Sequence, residues 1–167
     1  MIKFSHNYSF YEHYHVVHIT SQLSDFQLAW AINNKAKVNF RKLPDLMVYQ
    51  PKTAEYLPHS IFEWISTNAI DYFLITSSEK QNILTAETFL LVEKREHKDA
   101  VKRFIEKASS FDFIFSIEEI SFNTPSTTPK QRKLIDYLND ISIDMEPYLD
   151  KLREKPKYKP LKKEEGQ

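Results

Sequence analysis

Residues 1–165 contain no glycine, and the only glycine of the chain is Gly166. At average usage a chain of this length would carry about a dozen. Glycine adopts positive φ angles cheaply and lets a backbone approach a ligand closely. A P-loop, a dinucleotide fingerprint and a G-x-S-x-G nucleophile elbow all depend on it, so the sequence excludes these motifs in their usual form. We therefore expect a binding or scaffolding protein and not an enzyme.

Composition narrows the class of protein further. The chain has no cysteine, which excludes disulfides, thiolate zinc sites, iron–sulfur clusters and cysteine nucleophiles. Hydrophobic residues make up 41% and aromatic residues 14% of the 167 residues, which is enough to build a core. The start of the chain lacks the pattern of a signal peptide, and no apolar run reaches the length of a membrane span. We expect a cytoplasmic protein.

The net charge of zero hides an asymmetry between the C-terminal end and the rest. Residues 151–167 hold seven basic and three acidic side chains, so residues 1–150 carry the compensating negative charge. The basic end is either a solvated extension or an electrostatic arm for RNA, for an acidic protein or for the body of the chain itself. In the RNA alternative, the phosphate contacts come from Lys155, Lys157, Lys159, Lys162 and Lys163. We predict an α+β domain over 1–122, a connector and C-terminal helix over 123–154, and a disordered basic tail over 155–167.

The first helix has a clear start. Ser24 is a capping residue, Gln27 follows three positions later, and the helix is predicted from Asp25 to about Asn34. Apolar side chains cover a wide arc of it, so we expect it to be well buried, with Trp30 as a core anchor. Asp25 is interpreted as a favourable anion in the first helical turn.

The remaining patterns predict strands and one further helix in the first 122 residues. Strands are expected at His13–Leu23, Val38–Phe40, Leu46–Tyr49, Ser60–Ile65, Ile70–Thr76, Ile83–Val92 and Phe111–Ile117, with a loop at Lys52–Pro58. Lys94–Ser110 is an amphipathic helix. The order β-α-β(n)-α-β indicates an α+β fold in which two helices cover one face of a largely antiparallel sheet, with a C-terminal helical extension.

A heptad-like seam marks that C-terminal helix. Thr128, Pro129 and Gln131 supply its start, and Pro147 is expected to break or kink it. Six apolar residues recur at steps of four and three: Leu134, Leu138, Ile141, Met145, Tyr148 and Leu152. The seam either packs on the protein's own sheet or docks a partner, and we predict that it contacts a partner protein or a second copy.

Aromatic side chains near the start suggest a second part of that contact. Tyr8, Phe10, Tyr11 and Tyr14 lie close together, and aromatic residues are enriched in interface cores. Tyr11 and Tyr14 are predicted to bind the partner. RNA-binding sheets also stack bases on aromatics, which leaves an RNA- or ribosome-associated factor as the alternative.

No pattern in the sequence predicts catalysis, a cofactor or a metal site. His6, His13, His15 and His18 are close in sequence, but His15 and His18 point to opposite faces of a strand. A metal site needs three or four convergent ligands. We interpret these histidines as surface or edge-strand residues.

The stretch HITSQLSDFQLAWAINNKAKVNF, residues 18–40, resembles a family of uncharacterised Bacteroidota proteins named for the motif IPExxxVDY. Its L-x-D-[YF]-x-L-[AC]-W-x-[IL]-N pattern is matched by Leu23, Asp25, Phe26, Leu28, Ala29, Trp30, Ile32 and Asn33. The resemblance extends over residues 13–120, although Lys80, Gln81 and Asn82 stand where the naming motif has I-P-E. It implies a shared fold in a bacterial cytoplasmic protein and no known activity.

Overall fold

A six-stranded antiparallel sheet organises the chain. The computed structural model describes residues 10–76, 88–122 and 128–154, without the side chains of Phe10 and Tyr11. The helices in these ranges are α1 (Phe10–His13), α2 (Asp25–Ala36), α3 (Lys98–Ala108) and α4 (Pro129–Glu154). The strands are β1 (Tyr14–Ser21), β2 (Arg41–Gln50), β3 (Glu55–Ile65), β4 (Asp71–Thr76), β5 (Thr88–Glu93) and β6 (Ile114–Glu119). Their order in the sheet is β2-β3-β4-β5-β1-β6. The fold is α+β, as the sequence predicts.

The central strands are buried on both faces, so the protein has three layers. In β4 the residues from Phe73 to Thr76 are all buried, and in β5 those from Thr88 to Val92. A half-exposed strand would alternate between apolar and polar side chains, whereas a continuous buried run requires cover on each side. Helices α2 and α3 supply the cover on one face, and α4 supplies it on the other.

Helix α2 starts where its cap predicts. The backbone N–H of Ser24 donates to Oε1 of Gln27 at 3.2 Å, and the helix then runs from Asp25 to Ala36. Leu28, Ala29 and Ile32 face the sheet and pack into the same core as Val101 and Ala108 of α3. The packing therefore uses a narrower arc of α2 than its apolar composition indicates.

Helix α4 packs on the opposite face of the sheet. The backbone N–H of Thr128 donates to the Gln131 side chain, and the N–H of Gln131 donates to Oγ1 of Thr128, both at 3.2 Å. This reciprocal cap confirms the predicted helix start. The helix is continuous through Pro147, so the predicted break is not present. Its seam meets the buried side chains Val16, Leu46, Val48, Ile61, Phe73, Ile75, Phe89 and Leu91.

Both edge strands carry an irregularity. In β2, Leu43 pairs with Ile61 but Leu46 pairs with His59, so one extra residue bulges out near Pro44. β2 runs from Arg41 through this bulge to Gln50, so it contains the predicted strand Leu46–Tyr49, whereas the predicted strand Val38–Phe40 precedes it and is not part of the sheet. In β6, Phe115 is the extra residue opposite the step from Thr20 to Ser21. The strict alternation predicted for Phe111–Ile117 is therefore wrong, and Phe115 is exposed.

The chain makes its left-handed turns without glycine. Lys37, Ala54 and Ala69 have φ angles of 58°, 55° and 63°. Lys37 ends α2, and Ala69 closes the β3–β4 turn that Ser66–Ala69 was predicted to form. A side chain with a Cβ is strained in this region, so each position stores a small conformational cost.

Two predicted segments differ from the structure in extent. The expected loop at Lys52–Pro58 is mostly strand, because β3 begins at Glu55 and its residues from Glu55 to Glu63 lie opposite β2. The first part of the strand predicted at Ile83–Val92 lies outside the described residues. None of the helices within the described ranges combines the length and apolar content needed to cross a membrane.

Candidate functional site

Five large exposed apolar side chains lie on the α2 side of the sheet, on α2 itself and on the outer part of the β2–β3 hairpin, and we call them the aromatic stripe. Its members, with their exposed fractions, are Phe26 (59%), Trp30 (69%), Met47 (45%), Tyr49 (40%) and Tyr56 (58%). Single exposed apolar residues are normal on protein surfaces, whereas large apolar patches mark interaction sites or aggregation hazards, so five such residues on one side of the sheet call for an explanation. The stripe is the candidate functional site of this protein.

Helix α2 contributes one end of the stripe. Phe26 lies over β3, with its ring edge-on to Phe62 at a centroid distance of 5.4 Å. The neighbouring Asp25 carboxylate accepts a hydrogen bond from the Ser60 hydroxyl, which fixes the start of α2 over the middle of β3. Trp30 lies one helical turn beyond Phe26 on the same side of the helix. Both rings flank the buried arc of α2 and stay open to solvent.

The outer part of the β2–β3 hairpin contributes the other end. Tyr49 pairs with Tyr56 across the strands, and their ring centroids lie 5.3 Å apart. Met47 pairs with Pro58 on the same face. Because side chains alternate along a strand, this face continues into Ser60 and Phe62 beneath α2. The hairpin extends past the start of α2, so none of the four described helices covers these side chains.

Helix α4 caps the backbone of the β2 edge. The carboxylate of Asp144 accepts the Tyr49 N–H at 2.8 Å, and the Tyr148 hydroxyl donates to the carbonyl oxygen of Pro44 at 2.6 Å. Burial raises the pKa of Tyr148 to about 12, so this hydroxyl remains a donor at neutral pH. Unpaired edge groups invite another chain to add a strand. Helix α4 therefore occupies the Tyr49 N–H and the Pro44 carbonyl at this edge.

The structure corrects the predicted partner-binding residues of α4. Leu138, Ile141 and Met145 are at most 1% exposed because they fill the core between α4 and the sheet. Leu134 and Leu152 pack at the margins of the same core. The seam therefore packs on the protein's own sheet, which is the alternative that its pattern left open, and these side chains are not available to a partner.

The predicted partner contact through Tyr11 and Tyr14 is not seen on the described surface. Tyr14 is buried, and its ring lies edge-on to Phe73 at 6.1 Å. Tyr11 lies on α1, and its side chain is outside the described residues. The five tail lysines of the RNA alternative lie outside them too: Lys155, Lys157, Lys159, Lys162 and Lys163. The structure therefore brings Tyr14 and the α4 seam to the core, and places a different aromatic group on the surface.

A row of carboxyl groups crosses three strands near the end of α4. Asp71 of β4 accepts a hydrogen bond from Arg153 at 2.8 Å, with Glu63 and Glu93 on the strands beside it. Burial, followed by the proximity of Glu63, raises the pKa of Asp71 to about 8. Arg95 has the opposite effect on its neighbour and lowers the pKa of Glu93.

This carboxyl row acts as a clamp on the last turn of α4. A polar cleft of about 570 Å³ lies nearby, lined by residues that include Glu93, Arg95 and Arg153. Asp71, the group with the perturbed pKa, is not among the lining residues and is largely covered. A catalytic acid or base has to reach its substrate. The hydrogen bond from Arg153 to Asp71 therefore holds the end of α4 to the sheet.

A buried histidine provides a second polar clamp on α4. His59 of β3 lies 3.2 Å through Nδ1 from the Leu57 carbonyl and 2.6 Å through Nε2 from the Tyr137 hydroxyl. A carbonyl oxygen only accepts, so Nδ1 carries the proton and Nε2 accepts from Tyr137. Burial lowers the pKa of His59, which keeps the ring neutral in this arrangement.

The N-terminal histidines do not converge. His15 lies 3.4 Å from a carboxylate oxygen of Glu119, whereas His18 stacks on Phe89 at a centroid distance of 5.2 Å on the other face. Across residues 10–76, 88–122 and 128–154, no three side chains of the metal-binding types are arranged to hold a metal ion.

Comparison of the chain with protein-family models, curated proteins and solved structures found no match.

Sequence reasoning missed the stripe because it placed Trp30 in the core. The helical pattern alone shows a broad apolar arc on α2 and does not say how much of that arc the sheet covers. One sequence signal was available. Leu28, Ala29 and Ile32 already form a complete buried face, which leaves Phe26 and Trp30 as a surplus pair four residues apart.

Proposed function

We propose that this protein is a non-enzymatic interaction domain that docks a partner protein transiently through the aromatic stripe. The observation that carries the proposal is the exposure of five large apolar side chains on one surface, in a chain that buries both faces of its sheet. Tyrosine, tryptophan, phenylalanine and methionine are the side chains enriched in interface cores.

The size of the stripe favours a transient partner. A fully buried aromatic side chain covers about 150–250 Å², so the four aromatic side chains of the stripe and Met47, each about half exposed, present roughly 500 Å² of surface to a partner. The same area on a partner gives an interface of about 1,000 Å², which is below the 1,200–2,000 Å² of stable complexes and in the range of transient ones. An obligate homodimer would need at least twice this area.

The polar sites support a non-catalytic role. The most perturbed carboxyl, Asp71, is occupied by Arg153 and lies away from the lining of the neighbouring cleft. His59 is occupied on both ring nitrogens. Both groups join α4 to the sheet, so their perturbed pKa values have a structural explanation.

Trp30 is the residue to test first, since tryptophan is among the most frequent hot-spot residues. Tagged wild-type protein, Trp30→Ala and Ile143→Ala are produced at native level in the source cells and recovered with their partners. Ile143 is the matched control, because it is 54% exposed on α4, outside the stripe. We expect Trp30→Ala to reduce recovery of a stoichiometric protein at least about tenfold, and Ile143→Ala to retain it.

Three outcomes would contradict the proposal. Equal loss in both variants would mean that the stripe is not the contact. A partner that disappears on nuclease treatment would favour the RNA alternative, whose binding should also weaken with salt. Concentration-dependent dimerisation that Trp30→Ala abolishes would assign the stripe to a second copy of the chain.

A further inference from the structure

A second apolar site lies on the other side of α2, between that helix and α3. It is a groove of about 230 Å³. Its floor is formed by Trp64 and Tyr72, whose rings lie 4.4 Å apart between centroids, and by Val92. Ala36 of α2 and Ala100 of α3 form parts of the walls, where short side chains leave the floor open.

The mouth of the groove is positively charged. Arg103 and Lys107 both line it and lie four residues apart on α3, so they project from the same side of the helix. Within the described part of the chain, neither side chain forms an ion pair or a hydrogen bond. The Glu96 carboxylate accepts a hydrogen bond from the Tyr72 hydroxyl of the floor at 2.8 Å. The two cations are therefore available to a ligand.

The volume of the groove restricts what can enter. Pockets for drug-sized small molecules and cofactors usually measure about 300–1,000 Å³, and this groove is smaller. It has the dimensions of a pocket for one buried anchor side chain, which is the arrangement typical of interface hot spots. An aromatic anchor can pack against Trp64 and Tyr72, and acidic neighbours of that anchor would reach the two cations.

We infer that this groove binds an acidic peptide segment of another protein, with one aromatic anchor packed on the Trp64–Tyr72 floor and flanking carboxylates on Arg103 and Lys107. The site is separate from the aromatic stripe, so the inference does not depend on the proposed function. Apolar burial supplies the attraction at the anchor, and the charges select acidic sequences over basic ones.

The groove contains its own reporter. The chain has two tryptophans, so Trp30→Phe leaves Trp64 as the only one. In this background, a capped pentapeptide with phenylalanine between two acidic residues on each side is titrated while Trp64 fluorescence is recorded. We expect a saturable change. A peptide with alanine in place of phenylalanine, and one with lysines in place of the acidic residues, should bind at least about tenfold more weakly.

Two variants test the cations and the groove separately. Arg103→Ala should weaken binding of the acidic peptide by up to about fivefold, which is the value of one exposed ion pair. Ala100→Leu should abolish binding by filling the groove while it keeps both cations; circular dichroism checks that it folds. Lys133→Ala, a lysine of α4 outside the groove, is the control for loss of one positive charge.

The inference is overturned if the acidic peptide leaves Trp64 fluorescence unchanged at millimolar concentration. It is also overturned if the alanine peptide binds equally well, or if Lys133→Ala weakens binding as much as Arg103→Ala. Binding of sodium octanoate in place of the peptide would assign the groove to a small amphiphile and would equally overturn it.

Discussion

Replacing Leu138 by alanine should strongly destabilise the protein. Leu138 is 1% exposed, in the core between α4 and the sheet. The substitution removes three carbon atoms, which at about 0.8 kcal/mol each lowers the free energy of unfolding by roughly 2.4 kcal/mol. A residual void of about 50 Å³ would add roughly 1.2 kcal/mol, at about 24 cal/mol per Å³. The expected loss is therefore about 3–4 kcal/mol, a large share of the usual 5–15 kcal/mol.

Guanidinium denaturation followed by circular dichroism measures this loss. With an m-value of about 4 kcal/mol/M for a chain of this size, the midpoint should fall by nearly 1 M. Ile143→Ala on the same helix is the matched control. Because Ile143 is more than half exposed, its substitution should change the free energy of unfolding by less than about 1 kcal/mol.

Equal, small changes in the free energy of unfolding for Leu138→Ala and Ile143→Ala would contradict this prediction. They would mean that α4 is not docked on the sheet, and the seam would again be available to a partner. Tryptophan fluorescence should report the same midpoint as circular dichroism if unfolding is two-state.

Three further predictions concern strain and pH. Lys37→Gly and Ala69→Gly should each raise the free energy of unfolding by up to about 1 kcal/mol, because relief of the left-handed strain exceeds the added freedom of the unfolded chain; a decrease in the denaturation midpoint would contradict this. The pKa of Asp71 is about 8 in the folded protein and 3.8 in the unfolded chain, so folding is favoured while Asp71 is protonated. The free energy of unfolding should therefore fall as pH rises from about 4 to 8, and Asp71→Asn should remove this pH dependence. His59 changes the free energy of unfolding in the opposite direction. Its folded pKa is below 6.5, so its stabilising contribution is present above pH 6.5 and is lost as pH falls through the folded pKa. His59→Phe should therefore make thermal stability less dependent on pH in that window. An unchanged pH profile in either variant would refute its assignment.

The parts of the fold that the sequence predicted depend on local chemistry. Ser24 with Gln27 and Thr128 with Gln131 are capping pairs, whose hydrogen bonds form within four residues. The β3–β4 turn is similarly local, since Ser66 bonds to Ile70 across it. Such signals do not depend on the rest of the chain, which is why they identify element starts reliably.

The candidate site could not be predicted in the same way, because exposure depends on which elements cover each other. Trp30 and Leu138 both lie on apolar helix faces in the sequence, yet one is exposed and the other is buried. The continuous apolar run of β5 was the available clue. A strand buried on both faces needs a second helical layer, and α4 was the remaining helix able to provide it.

The placement of Phe115 depends on a register shift. A β-bulge adds one residue to β6 against β1, and every side chain after an added residue changes face. Hydrophobic alternation in a single strand does not reveal the partner register, so the sequence placed Phe115 with the buried Phe113.

Site-specific photo-crosslinking shows whether a partner protein contacts the aromatic stripe. A photoreactive benzoylphenylalanine is introduced in place of Trp30 or, as control, in place of Ile143, both of which are more than half exposed. After irradiation in the source cells, we expect a discrete crosslinked protein from position 30 and none from position 143. No product at position 30, or the same product from both positions, would contradict the assignment of the aromatic stripe as the docking surface.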